Sequence, residues 1–137
     1  QPNICYEDLF GEELAAGFIN PAEAPTILVN MSNIAWFGDT VAIDQHRNIS
    51  RMRAMELARP MLRATNTGAT AVIDETGRVL QELPRLTRGV LQATVKGNKA
   101  QPTFFAWWAA RWSLWPLWGV GLAGIALAWP WRKRTKV

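Results

Sequence analysis

The sequence holds one cysteine, Cys5, so no disulfide can form within it and the redox compartment stays open. It holds one histidine, His46. Tryptophan is nearly missing from the first hundred residues: Trp36 stands alone there, and the other seven lie from Trp107 onward. Charge of one sign is missing from the body as well. The net charge of +4 belongs to Arg132, Lys133, Arg134 and Lys136, without which the remaining 11 basic residues match the 11 acidic ones. A pI near 9.8 would normally invite a nucleic-acid reading. Here it reflects a basic end placed after an apolar run, and no nucleic-acid partner is predicted. There is no internal repeat, no N-terminal Met and no signal peptide. The chain starts within four residues of a strand end, so it is expected to be a piece of a longer protein.

What is there divides into a mixed body and an aromatic, apolar tail. Residues 1–4 read as the end of a strand. Leu9, Phe10, Leu14 and Phe18 follow at roughly helical spacing, with Glu7 and Asp8 in the first turn, where the helix dipole favours acids. Residues 26–30 are β-branched and apolar, which predicts a buried strand. A polar and aromatic loop covers 31–40. A helix is predicted over about 41–62, with Met52, Met55, Ala58 and Leu62 recurring on one face, Arg47, Arg51 and Arg59 pointing outward, and Pro60 kinking or ending it. Strands are predicted at 63–66, at 69–74 and 78–83 around the turn Glu75-Thr76-Gly77, and at 89–95.

The tail carries an uncharged stretch of nineteen residues, Ser113 to Trp131, about the length that crosses a ~30 Å hydrocarbon core. Trp115, Trp118, Trp129 and Trp131 sit near its ends, as interface aromatics do, and Gly119, Gly121 and Gly124 offer close approach to another helix. The basic residues after it predict a cytoplasmic C-terminus, with the body on the opposite face of the membrane. Phe104, Phe105, Trp107, Trp108 and Trp112, with Arg111 among them, fit a membrane-surface segment. The expected division is therefore a body over 1–100, a linker and surface segment over 101–112, a transmembrane helix over 113–131 and a basic tail over 132–137.

A lone cysteine is more often a small buried hydrophobe than a nucleophile. The setting of Cys5 argues otherwise. A turn from strand to helix exposes the side chain at the sheet edge and aims free backbone N–H groups at a developing oxyanion.

The motif Asn3-Ile4-Cys5-Tyr6-Glu7 resembles the cysteine strand end of the nitrilase (carbon–nitrogen hydrolase) superfamily, whose members use a Glu–Lys–Cys triad. Asn30-Met-Ser-Asn-Ile-Ala-Trp-Phe-Gly-Asp39 resembles the loop after the next strand in one branch, the apolipoprotein N-acyltransferases. Gln45-His46, Arg51 to Pro60 and Arg63-Ala-Thr-Asn-Thr-Gly68 continue the resemblance in order, so that it covers nearly the whole chain. Cys-Tyr-Glu alone is weak; the ordered set is strong. Two departures stand out. Ile34 sits where the family usually carries an acidic residue, and Val41-Ala-Ile-Asp44 replaces a Gly-Pro-containing stretch.

The resemblance implies an α+β fold, the C-terminal half of a nitrilase-like α-β-β-α sandwich, followed by one C-terminal transmembrane helix. It implies Cys5 as nucleophile, functional roles for Tyr6 and Glu7, and a substrate loop of Trp36, Phe37 and Gly38. The family's general-base Glu and its Lys lie upstream of the cysteine, in the remaining N-terminal part of the enzyme. The implied reaction takes an acyl chain from a phospholipid, through a Cys thioester, to the α-amino group of an apolipoprotein's diacylglyceryl-cysteine. The implied place is the bacterial inner membrane, in contact with membrane lipid, with the catalytic part facing the periplasm. No metal and no cofactor are expected. His46 has no catalytic role in this scheme, and Glu7 serves equally well as a stabiliser of the helix start. Arg51, Arg53 and Glu56 read as a solvated or interhelix charge set. Two other functions use the same residues: a membrane-tethered amidase that releases acyl groups to water, and a non-catalytic nitrilase-like scaffold.

Overall fold

The computed structural model describes the backbone of residues 1–134 and the side chains of residues 1–129. Its centre is a five-stranded sheet in the order β1 (Pro2–Ile4), β2 (Leu28–Ser32), β3 (Met61–Thr65), β4 (Ala71–Ile73), β5 (Val79–Glu82). The first three strands are parallel and the last two antiparallel. Parallel neighbours need crossovers, and right-handed crossovers taken in one direction put their helices on one face. That face holds α1 (Gly11–Ala15), α2 (Ala42–Leu57) and α3 (Phe104–Trp112). Their contact with the sheet buries Leu14, Phe18, Ala54, Leu57, Ala106 and Ala109 against Leu28, Met61, Ala71 and Ile73. The architecture is α+β, as the sequence predicts.

Side chains alternate along the strands, so the opposite face carries Ile4, Val29, Met31, Leu62 and Ala64, exposed or half-exposed. Segment 89–95, predicted as a strand, is irregular. Gly89, Val90, Leu91, Ala93 and Val95 line an open groove of about 560 Å³ with Leu62, Ala64 and Val72 on this outer face. The segment lies across the sheet rather than pairing in it.

The first turn-and-helix segment is also broken. Cys5–Leu9 is a 3₁₀ turn, α1 follows, and Ala16–Phe18 is a second 3₁₀ turn. Only Leu14 and Phe18 of its predicted apolar set reach the core, while Leu9 and Phe10 stay exposed.

The helix predicted to Leu62 ends at Leu57. Ala58 turns left-handed at φ +49, and Arg59 N–H returns to the Ala54 carbonyl at 3.0 Å, which closes the last turn. Pro60 cannot extend a helix and holds Arg59 extended, so Met61 and Leu62 begin β3 instead. The inward stripe of α2 is Ile43, His46, Ser50, Arg53, Ala54 and Leu57. Met52 and Met55, assigned inward by spacing, are 49% and 48% exposed. Arg59, expected outside, is 1% exposed. Its guanidinium donates to the carbonyls of Pro25 (2.6 Å), Ala58 (2.9 Å) and Ala100 (2.8 Å) and lies 5.1 Å over the Phe18 ring. Phe18, Pro25 and Ala100 are thereby tied to the end of α2. Arg47 and Arg51 are also engaged, with Glu82 (2.5 Å) and the Gly77 carbonyl (2.7 Å) respectively. The predicted hairpin is present. Asp74 Oδ1 accepts from the Thr76 and Arg78 N–H groups at 2.9 Å each, and Gly77 supplies the left-handed φ of +79.

α3 presents two faces. Ala106 and Ala109 are buried on α1 and α2, while Phe104, Trp107 and Trp112 face outward. The helix α4 (Trp115–Arg134) follows after Ser113, at φ +46, and Leu114. Among the described residues no single helix is long and apolar enough to cross a membrane, but α3 and Trp115–Trp129 of α4 qualify as a pair bent by 74°. From Trp115 to Trp129 the large apolar side chains of α4 are all exposed, and nothing approaches Gly119, Gly121 or Gly124 within 4 Å. The side chains of the basic cluster at 132–137 lie outside the described residues.

Candidate active site

The C-terminal ends of β1, β2 and β3 point the same way, and the residues beyond them meet at one edge of the sheet. This is where parallel α/β sheets usually place ligands. Cys5 is the first residue past β1. It is half-buried and adopts φ +52, a left-handed conformation that costs a non-glycine residue roughly 1–2 kcal/mol. Such a conformation persists only where its surroundings enforce it.

Three contacts do so. Glu7 turns back, and its carboxylate accepts the Ile4 N–H at 2.6 Å. Asn30, fully buried on β2, donates its amide to the Cys5 carbonyl at 3.0 Å. Asp8, fully buried, anchors the far side of the turn.

The anchor at Asp8 is a compact charged cluster. Its Oδ2 accepts from Ser50 Oγ of α2 and from Arg63 Nη1 of β3, the latter at 3.2 Å. Arg63 also donates to the carbonyls of His46 (3.1 Å) and Ala69 (3.2 Å), to Ser50 Oγ, and to His46 Nδ1 at 2.6 Å. A guanidinium can only donate, so Nδ1 must be the bare nitrogen and His46 carries its proton on Nε2. That nitrogen lies 3.7 Å from Asp8 Oδ1. Burial lowers the His46 pKa and the Arg63 charge lowers it further, with Asp8 opposing, so the imidazole stays neutral. Burial also lowers the Arg63 pKa, against the pull of Asp8. The remaining charge is one carboxylate against one guanidinium.

Tyr6 connects this cluster to the second loop. Its ring meets His46 edge-on at 5.5 Å and Phe37 edge-on at 6.2 Å. Phe37 packs on Ile34, Ile43 and Ala69, whereas Trp36 next to it is 78% exposed and held only by its indole N–H on the Asn33 carbonyl at 2.8 Å. Gly38 has φ +57 and ψ −159, a region open essentially to glycine alone. The start of the loop is pinned by Asn66 beyond β3, which accepts the Ile34 N–H at 3.1 Å and donates to Asn33 at 2.8 Å. Its end is pinned by Arg85, which pairs with Asp39 at 3.3 Å and with Asp44. Ile34, one of the two departures, is fully buried and belongs to the support of the loop.

The residues singled out in the sequence, Cys5, Tyr6, Glu7, Trp36, Phe37 and Gly38, thus share one edge. Asp8, Asn30, Ser50, Arg63 and Asn66 were missed. They lie on four different elements and, for Asn66, the loop after β3, and no local pattern marks them as partners. Among the described residues no three His, Cys, Asp or Glu side chains converge as a metal site.

Comparison with known proteins gives this geometry a family. Residues 1–103 match the carbon–nitrogen hydrolase family model. The chain is 63% identical over 119 residues to the apolipoprotein N-acyltransferase of Verminephrobacter eiseniae, covering 82% of this chain and 22% of that protein. The protein of that name in Ralstonia nicotianae is 59% identical over 103 residues, 75% of this chain and 20% of its own length. The one in Vibrio cholerae is 42% identical over 132 residues, 96% of this chain and 24% of its own. The chain therefore spans between a fifth and a quarter of these curated relatives, and it belongs to the carbon–nitrogen hydrolase family.

Proposed function

We propose that the chain is the C-terminal part of an apolipoprotein N-acyltransferase, with Cys5 as its nucleophile. The observation that carries this reading is the left-handed Cys5 turn at the sheet edge, beside an aromatic loop whose Trp36 faces outward. In this reading the outer face of the sheet, with Val29, Met31, Leu62 and Ala64, packs against the N-terminal half of an α-β-β-α sandwich. That half brings the Glu base and the Lys. The thiol proton of Cys5 passes to the Glu as Sγ attacks the ester carbonyl of a phospholipid. The oxyanion is held by the Lys and by the Tyr6 N–H. Collapse breaks the ester C–O bond, the proton goes to the departing lysophospholipid alkoxide, and a thioester remains. The α-amino group of the apolipoprotein's diacylglyceryl-cysteine then attacks. It loses a proton to the Glu, the amide forms, and the Cys5 thiolate leaves and is reprotonated.

Glu7 serves this scheme by holding the turn, and Tyr6 by presenting its N–H and bracing Phe37. Trp36 and Phe37 form a lipid-facing wall, with Gly38 permitting the bend. α4 is the membrane helix, since its apolar surface from Trp115 to Trp129 has no cover among the described residues, and the outward aromatics of α3 lie at the membrane surface. The basic end then places the C-terminus in the cytoplasm and Cys5 on the periplasmic side of the inner membrane. Incubating the complete enzyme with phospholipid and weighing it by mass spectrometry tests the scheme. An acyl adduct is expected on the wild type and none on Cys5→Ser; an adduct that survives the substitution removes Cys5 from the mechanism. Free fatty acid formed in place of the acylated apolipoprotein would assign the same site to an amidase.

A further inference from the structure

The buried amide of Asn30 has no role in the scheme above, yet it touches the nucleophile's own peptide. We propose that Asn30 is a positioning residue that sets the direction of the Cys5–Tyr6 peptide, and through it the aim of the Tyr6 N–H at the oxyanion. The inference rests on the reading of Cys5 as nucleophile.

The argument starts from the bonds. Asn30 Nδ2 donates to the Cys5 carbonyl at 3.0 Å and to Asn3 Oδ1 at 2.6 Å. A carbonyl only accepts, which fixes which end of the Asn30 amide faces the turn. The other end, Oδ1, accepts from Ser32 Oγ at 2.5 Å. Asn3, Asn30 and Ser32 are all buried, and β1–β2 register sets Asn3 directly beside Asn30. Neither end of the Asn30 amide can rotate without leaving a buried polar group unpaired. The clamp is therefore stiff.

What it clamps matters because of peptide geometry. Among the described residues there is no cis peptide bond, so the Cys5 C=O and the Tyr6 N–H are opposite ends of one planar trans unit. Fixing the carbonyl fixes the N–H, and a hydrogen bond to the carbonyl polarises the N–H at the other end. The left-handed Cys5 backbone makes this necessary. Released, the peptide would relax toward a commoner conformation and swing the N–H away. Sγ hangs from Cα through Cβ and is no part of that peptide unit, so it would still be present and reactive.

That separation gives the test. Forming the acyl-enzyme needs the oxyanion donor. Alkylation of the thiol by iodoacetamide is a direct displacement with no oxyanion. In the complete enzyme, Asn30→Ala is expected to slow acyl-enzyme formation from phospholipid by roughly ten- to a hundred-fold, short of or equal to the loss of a whole oxyanion donor. The rate of Cys5 alkylation and its pH profile should not change. Ser32→Ala, which frees only Oδ1, should show the same split by a few-fold, and it carries the test if Asn30→Ala does not fold. Equal loss in acylation and alkylation would overturn the proposal, because Asn30 would then hold Cys5 itself. Unchanged acylation would overturn it as well. Failure of the underlying reading is distinct: Cys5→Ser would still take up the acyl chain.

Discussion

The two loops that meet at the sheet edge are built in opposite ways. The Cys5 turn is held from beneath by buried polar groups: Asn30 from β2, Ser50 from α2 and Arg63 from β3. The Trp36 loop is tied at its ends by Asn66 and Arg85 and seated in between by the apolar packing of Ile34 and Phe37, while its largest side chain stands in the open. One loop has its backbone clamped by buried polar groups; the other is seated by apolar packing and leaves one large side chain uncovered. Chemistry at a single atom needs the first design, because a reacting group must hold its geometry within about half an ångström. Contact with a long, flexible chain is served by the second.

The sharpest way to break this contrast is to remove the charge beneath the turn. Arg63→Met should destabilise the complete protein by about 3–5 kcal/mol, since it leaves Asp8 buried and uncompensated. Chemical denaturation would measure it. A loss near zero would mean that Asp8 is not bound into the fold as described. Trp36→Ala should do the reverse. Acyl transfer should slow by about ten-fold, or ~1.4 kcal/mol of barrier, while the melting point hardly moves, because an exposed side chain holds up little. A normal rate with a sharply lower melting point would make Trp36 a packing residue and erase the difference between the loops.

The smallest expected effect is a slope. His46 has its pKa lowered in the folded protein. Below the ordinary histidine value near 6.5 the unfolded chain therefore takes up a proton that the folded one refuses. Stability should fall as the pH drops through that value, by at most about 1.4 kcal/mol per unit. His46→Gln, whose carbonyl can still accept from Arg63, should flatten that part of the curve. Denaturation series from pH 7.5 down to 5.5 on both proteins make the comparison, and parallel curves would rule out a neutral buried imidazole.

Much of this was legible in the sequence where the signal was local. A strand ending in cysteine, a Gly-containing hairpin and a polar loop with two aromatics each announce themselves over a few residues. The inner face of α2 was not legible. Apolar spacing drew attention to Met52 and Met55, but the helix turns His46 and Ser50 inward to Asp8 of the Cys5 turn and Arg63 of β3, and Arg53 inward to the Leu9 carbonyl and Glu56. Hydrophobic periodicity has no way to register polar groups such as His46 and Ser50, whose partners are 13 to 42 residues away. Arg59 was misplaced for the same reason: its partners are carbonyls, which every residue has. The strand expected over 89–95 failed differently, since apolar and β-branched residues serve a chain lying on a sheet as well as one inside it.

The bend between α3 and α4 has a mechanical consequence. α3 is bolted to the body through Ala106 and Ala109, and only Ser113 and Leu114 separate it from α4. A joint that short has no slack. With α4 seated in a bilayer, the body would not trail on a leash. A tilt of the helix would be handed on as a rotation of the whole sheet, and the height of the Cys5 edge above the lipid would be set by the corner at Ser113.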